Sequence, residues 1–344
     1  MSEEPVRIRV ALKDDAEVPV GERPILVSSD DLSRDPSDDA LYRDGQYLDG
    51  PLPSSRVPHI GHAAMFLSFA GLMLLLSQLV MLTLSHTATS SAGVVHPKRQ
   101  LAAMAVTYFV TLGACFLVFP LFWGREFPAG LNWNGGAARR LAARLVAIGL
   151  LVGWGVQAMS SLIPMPKSIP MDDFFKTPSD VWLVTLFGTL LAPLFEEIAF
   201  RGFLLPAFSI AFDWLAPVVR YVAAFSSATL GGQEPPRHVA IFREAAPAGL
   251  APDTGNLFFR SRTAVVSASL VTSALFALLH AEQLAHAWAA LAILFGVSLV
   301  LTAVRVRTRS VACSTSVHAS YNLSVFLTLL LATGGYRHLD KIGK

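Results

Sequence analysis

Seven separate runs of mostly apolar residues, each near the length of a bilayer crossing, constrain this chain more than any other feature. They fall at 60–84, 101–123, 141–163, 181–211, 265–280, 288–304 and 311–332. A helix needs about 20 apolar residues to cross the hydrocarbon core. Inside that core only structures that satisfy their own backbone hydrogen bonds persist. The expected fold class is therefore an all-α polytopic membrane protein, a bundle of about seven transmembrane helices. The stretch 203–230 offers an eighth crossing. Composition agrees: 15% of the residues are charged, against about 25% in soluble domains. No basic patch interleaved with aromatic residues is present, so nucleic acid is not an expected partner. Cys115 and Cys313 form neither a disulfide framework nor a CxxC pair, and both read as small buried hydrophobes.

The remaining segments divide the chain. Residues 1–57 contain Asp14-Asp15, Asp30-Asp31 and Asp38-Asp39 and no long apolar run. They read as an acidic, disordered tail without a signal peptide. Residues 58–175 hold the first three crossings, 176–335 the rest, and 336–344 a short tail. A long loop is expected at about 215–262, with Pro235-Pro236 and Gly231-Gly232 breaking regular structure. Basic residues cluster in three connections: Arg125, Arg139, Arg140 and Arg144; Arg220, Arg237, Arg243, Arg260 and Arg262; and Arg305, Arg307 and Arg309. With seven crossings all three lie on the side of the N-terminus, which the positive-inside rule assigns to the cytoplasm. An eighth crossing would spoil that agreement and is disfavoured.

Three apolar runs carry polar residues that hydrocarbon does not tolerate without a reason. The first holds Glu196, Glu197 and Arg201. Glu197 and Arg201 are i and i+4, the spacing of an ion pair. Glu196 lies about 100° further round the helix, so one carboxylate can be neutralised while its neighbour stays free. The second run ends in Phe276-x-x-x-His280, followed by Glu282 and His286. The third places His318 and Asn322 on one helix face. The plainer reading of each is structural: a buried ion pair, an interfacial histidine, and a pair that bonds between helices. Taken together they are the inventory of a hydrolase that activates water. A glutamate can accept a proton, a histidine can orient or relay, and imidazole and amide can donate to an oxyanion. Glu196, His280 and His318 could instead ligate zinc with water in the fourth position. No HExxH is present, and these residues alone do not choose between the two.

Glu-Glu-x-x-x-Arg at 196–201, Phe-x-x-x-His at 276–280 and His-x-x-x-Asn at 318–322, in that order on separate apolar runs, resemble the CPBP family of intramembrane proteases. That family includes the CAAX prenyl endopeptidases and the bacteriocin-processing and immunity proteins. Phe200-Arg201-Gly202 fits it, and Arg307-Thr308-Arg309-Ser310 resembles its "RTGS" run. The resemblance covers about 181–333. It implies that Glu196 activates water with help from His280, that His318 and Asn322 bind the oxyanion, and that Glu197 and Arg201 support the site. Members are often called metalloproteases, yet the family also admits a mechanism without metal. The chain departs from the pattern in its long connection between the first two motifs and in Arg309, where the run has glycine. The expected activity is endopeptidase cleavage of a membrane-associated protein or peptide at the bilayer, with prenylated substrates implied by the CAAX branch. Two alternatives compete with it: a non-catalytic immunity or partner protein on the same scaffold, and a proton-coupled transporter. No internal repeat favours the transporter.

Overall fold

A computed structural model describes residues 57–87, 97–163, 170–230 and 262–339. Among them the regular structure is helical. Helix α1 is Ile60–Thr87, α2 Pro97–Trp123, α3 Phe127–Gly130, α4 Gly135–Arg140 and α5 Ala142–Ser160. A long composite helix follows: α6 Pro178–Leu186, a π-helical turn Phe187–Leu191, α7 Ala192–Glu197, a second π turn Ile198–Leu204, and α8 Leu205–Leu230. The last three are α9 Arg262–Leu279, α10 Trp288–Thr308 and α11 Val311–Ala332. Seven helical stretches are long and apolar enough to cross a membrane, as the hydropathy pattern requires. Their outer faces carry exposed Leu75, Leu117, Leu121, Leu186 and Leu331, the arrangement expected where the surrounding medium is itself apolar.

The disfavoured eighth crossing is absent among the described residues, and the ends of three segments are more sharply defined than in the sequence. The segment 203–230 is no separate crossing. It continues the fourth one, whose apolar part runs 38 residues from Pro178 to Leu215. At 1.5 Å per residue that is about 57 Å of helix, longer than the hydrocarbon core, so its end extends past the core or along its boundary. The loop expected at 215–262 is helical as far as Leu230; 231–261 lies outside the described residues, as does the acidic tail before residue 57. The C-terminal tail is fastened at its start: the Tyr336 side chain is fully buried, its hydroxyl donates to the Phe326 carbonyl at 3.1 Å, and its ring meets Trp182.

Two kinds of packing hold the fourth crossing and α11 in place. On one side α1, α2 and α3 pack large rings around the second π turn. Phe66 stacks on Phe203 with centroids 4.6 Å apart, and Phe119, Trp123 and Phe127 complete the cluster. Water supplies no drive between helices in a bilayer, so contact area and ring geometry carry this association. On the other side α5 lies against α11 through Gly149-x-x-x-Gly153. A Cβ at Gly149 would sit 2.5 Å from the Val317 carbonyl oxygen, and one at Gly153 would sit 2.9 Å from that of Tyr321. Only glycine permits that approach, and it fixes the depth of the helix that carries His318. Both cysteines are buried, as expected.

Candidate active site

The local backbone is set by Pro193. In the π register, Ala192 N–H donates to Phe187 O, so residue 193 would next donate to Gly188 O. Proline has no N–H to give. The amide of Asn322 supplies the missing donor: its Nδ2 lies 2.6 Å from the Gly188 oxygen. A sequence rule about proline thus explains why α11 must bring an amide to this point. π turns of this kind concentrate at functional sites, and here two of them flank the short helix α7 that carries the glutamate pair.

Glu197 and Arg201 are fully buried and paired as the i,i+4 spacing predicts, Nη1 to Oε1 at 2.8 Å. Arg201 Nη2 also donates to the Ser298 carbonyl at 3.0 Å and to its hydroxyl at 2.7 Å. The guanidinium lies 4.9 Å from the centroid of Phe276. A buried charge is tolerated when it is paired and hydrogen-bonded in this way. Ser298, on α10, belongs to none of the three motifs, and only its placement opposite Arg201 reveals its part.

His318 joins the two carboxylates. Its Nδ1 lies 3.0 Å from Glu197 Oε1 and its Nε2 3.7 Å from Glu196 Oε2. Because Glu197 faces an arginine, it is the ionised acceptor and His318 Nδ1–H the donor. His318 Nε2 then faces Glu196, whose side chain keeps 18% of its exposure while that of His318 keeps 3%. The two adjacent glutamates therefore differ as their 100° separation requires. Glu197 is sealed in, and Glu196 is open.

The other motif residues stand apart from this bridge. His280 is held through Nδ1 by the Phe276 carbonyl at 2.8 Å, which leaves its Nε2 unengaged by that bond. The Phe276 ring touches both histidines, 4.8 Å from His280 and 5.8 Å from His318 by ring centroids. Asn322 shares the His318 face, but its hydrogen bond goes to Gly188. For zinc, the candidate set Glu196, His280 and His318 does not fit: among the described residues no three His, Cys, Asp or Glu side chains gather closely enough to hold an ion. His318 Nδ1 is engaged by Glu197 and His280 Nδ1 by a carbonyl, so Nε2 is the ring nitrogen each leaves outside those bonds.

Arg305 corrects the sequence reading most plainly. Counted with the loop arginines, it is instead fully buried on α10. Its Nε donates to the Arg201 carbonyl at 3.3 Å and its Nη2 to the Leu131 carbonyl at 3.4 Å. It ties the second π turn to the connection after α2. The apolar run stops at Val304, but α10 continues to Thr308 and keeps Arg305 on its inner face. The signal was helical spacing: Ser298, Thr302 and Arg305 follow i, i+4, i+7 along one buried face.

Residues 178–324 match the sequence model of a family described as type II CAAX prenyl endopeptidase Rce1-like. The match contains all three motifs and bears out the resemblance read from them. No curated protein and no solved structure matches the chain at a significant level.

Proposed function

We propose that this chain, an Rce1-like protein over residues 178–324, is an intramembrane endopeptidase that hydrolyses a peptide bond with a water held between Glu196 and His318. The observation that carries this reading is the His318 bridge, 3.0 Å to Glu197 and 3.7 Å to Glu196. In the working state we propose, His318 is neutral with Nδ1–H donating to Glu197, so that Nε2 and Glu196 Oε2 are both acceptors. Two acceptors at that separation suit one water that donates a hydrogen to each and turns a lone pair outward. Attack forms the bond from water oxygen to the carbonyl carbon, and Glu196, the open carboxylate, takes the proton. The same proton goes to the departing amine as the C–N bond breaks. Glu197 and Arg201 hold the imidazole in tautomer and orientation without touching the reacting atoms.

His280 and Asn322 take the roles the family implies in modified form. His280 assists proton movement through Nε2. Asn322 fixes the π turn with one amide hydrogen and offers the second to the oxyanion. The substrate class we propose is a membrane-associated protein or peptide, and a prenylated one is in keeping with the family's description as a prenyl endopeptidase. The arginine-rich boundary, and with it the N-terminus, is assigned to the cytoplasmic side.

The deciding experiment offers prenylated and unprenylated membrane-bound peptides to the purified wild type and to Glu196→Gln. Loss of a general base lowers turnover by roughly 10²–10⁴-fold, so Glu196→Gln is expected to lose at least that much with folding intact. Equal cleavage by both proteins would overturn the catalytic reading. Indifference to the prenyl group would overturn the substrate class alone.

A further inference from the structure

Away from the glutamates, the connection after α2 and the turn between α10 and α11 together form a cleft of about 390 Å³. It is lined by Ala129, Asn132, Trp133, Asn134, Gly135 and Arg309. Two of these residues, one from each connection, have left-handed backbones: Asn132 at φ 57° and Arg309 at φ 53°. Asparagine accepts that conformation more readily than most residues, whereas a long side chain there is strained and glycine is not. Arg309 therefore sets a guanidinium on a turn that glycine would adopt without strain. A long, charged side chain held in that conformation at the rim of a cavity points to a ligand.

The cleft is braced from below. Val311 N–H donates to the Asn132 carbonyl at 3.2 Å. Ser310, fully buried, accepts from Asn134 N–H and donates to the Asn134 carbonyl, each at 3.2 Å. Arg305 holds the Leu131 carbonyl. The two strained residues therefore keep fixed positions across the cleft. None of the ion pairs formed among the described residues uses Arg309. The two segments that form the cleft are strongly basic. Arg125, Arg139, Arg140, Arg144 and Arg307 lie in the same segments, and Glu126 is the one carboxylate among residues 124–144 and 305–310. Since α2 ends here, α5 begins here, and α10 and α11 meet here, the cleft sits at a membrane boundary, where Trp133 is at home.

We propose that this cleft binds a phosphate group, presented by the headgroup of an anionic phospholipid. Arg309 supplies the charge and a forked set of donors for phosphate oxygens, the Asn132 side-chain amide a further donor, and Trp133 an amphipathic wall at headgroup level. The site is separate from the glutamate pair and stands whether or not the chain is a protease.

The test uses the full-length protein in nanodiscs of phosphatidylcholine doped with phosphatidylglycerol, with lipid retention read by native mass spectrometry. The wild type is expected to retain one phosphatidylglycerol in preference to phosphatidylcholine. Arg309→Gly is expected to lower that retention at least tenfold while melting no lower than the wild type, because glycine adopts the left-handed turn without strain. Asn132→Gly, which also keeps the turn, is expected to lower it by a smaller factor. Added inorganic phosphate separates the sources. Retention of the lipid at millimolar phosphate supports the headgroup as the ligand. Its release would overturn that source and leave free phosphate as the species recognised. Equal retention by wild type and Arg309→Gly, or no preference for the anionic lipid, would overturn the proposal as a whole.

Discussion

Arg201 and Phe203 lie two residues apart on one π turn, both fully buried, and they are buried by opposite means. Phe203 enters a cluster of rings from α1, α2 and α3, where contact area is the whole interaction. Arg201 enters a set of directed bonds, to Glu197, to two atoms of Ser298, and through its own carbonyl to Arg305. The ring face can exchange one shape for a similar one. The polar face cannot lose a member without leaving a charge or a donor stranded. The candidate site lies on the polar face, and the ring face packs behind it.

That contrast can be broken most forcefully at the ion pair. Removing one partner of a buried pair costs about 3–5 kcal/mol, so Arg201→Met should lower the melting temperature in detergent sharply and abolish cleavage. The double variant Glu197→Gln with Arg201→Met is expected to recover stability but not activity, since His318 loses its ionised partner. Recovery of both would mean that the pair merely holds the helices. Next in size is Gly153→Val, which forces α5 away from α11. Overpacking costs about 1–3 kcal/mol, and turnover should fall further than stability because His318 moves with α11. Phe203→Leu probes the ring face: losing the ring contacts costs about 1–3 kcal/mol, and cleavage should persist. A loss as large as that of Arg201→Met would erase the distinction between the faces. The smallest effect belongs to Tyr336→Phe, which removes a single hydroxyl and about 1 kcal/mol, read as a modest shift in melting with turnover unchanged.

Much of the site is legible in the order of the residues. The i,i+4 spacing of Glu197 and Arg201 predicts their pairing, and the turn between Glu196 and Glu197 predicts one sealed and one open carboxylate. Three polar motifs on three apolar runs are enough to point to the family that residues 178–324 match. Other parts are hidden. Arg305 carries the same letter as the exposed Arg307 and Arg309, and only its helical spacing from Ser298 and Thr302 separates it from them. Ser298 is one serine among many. Asn322 shares a face with His318, yet its partner is a carbonyl left without a donor by a proline 129 positions earlier in the chain, a link only the folded helices reveal.

Hydropathy and helical periodicity act within a single segment, so the number of crossings and the residues that must hide from lipid follow from the chain alone. Which partner each hidden group found is a property of the assembled helices. Their packing put His318 rather than His280 across the glutamates, turned Asn322 to Gly188, and set Arg309 over a cleft at the boundary. Hydrogen bonds and ion pairs act over about 3 Å, between atoms whose closeness depends on how whole helices meet, and no pattern within one helix contains that information.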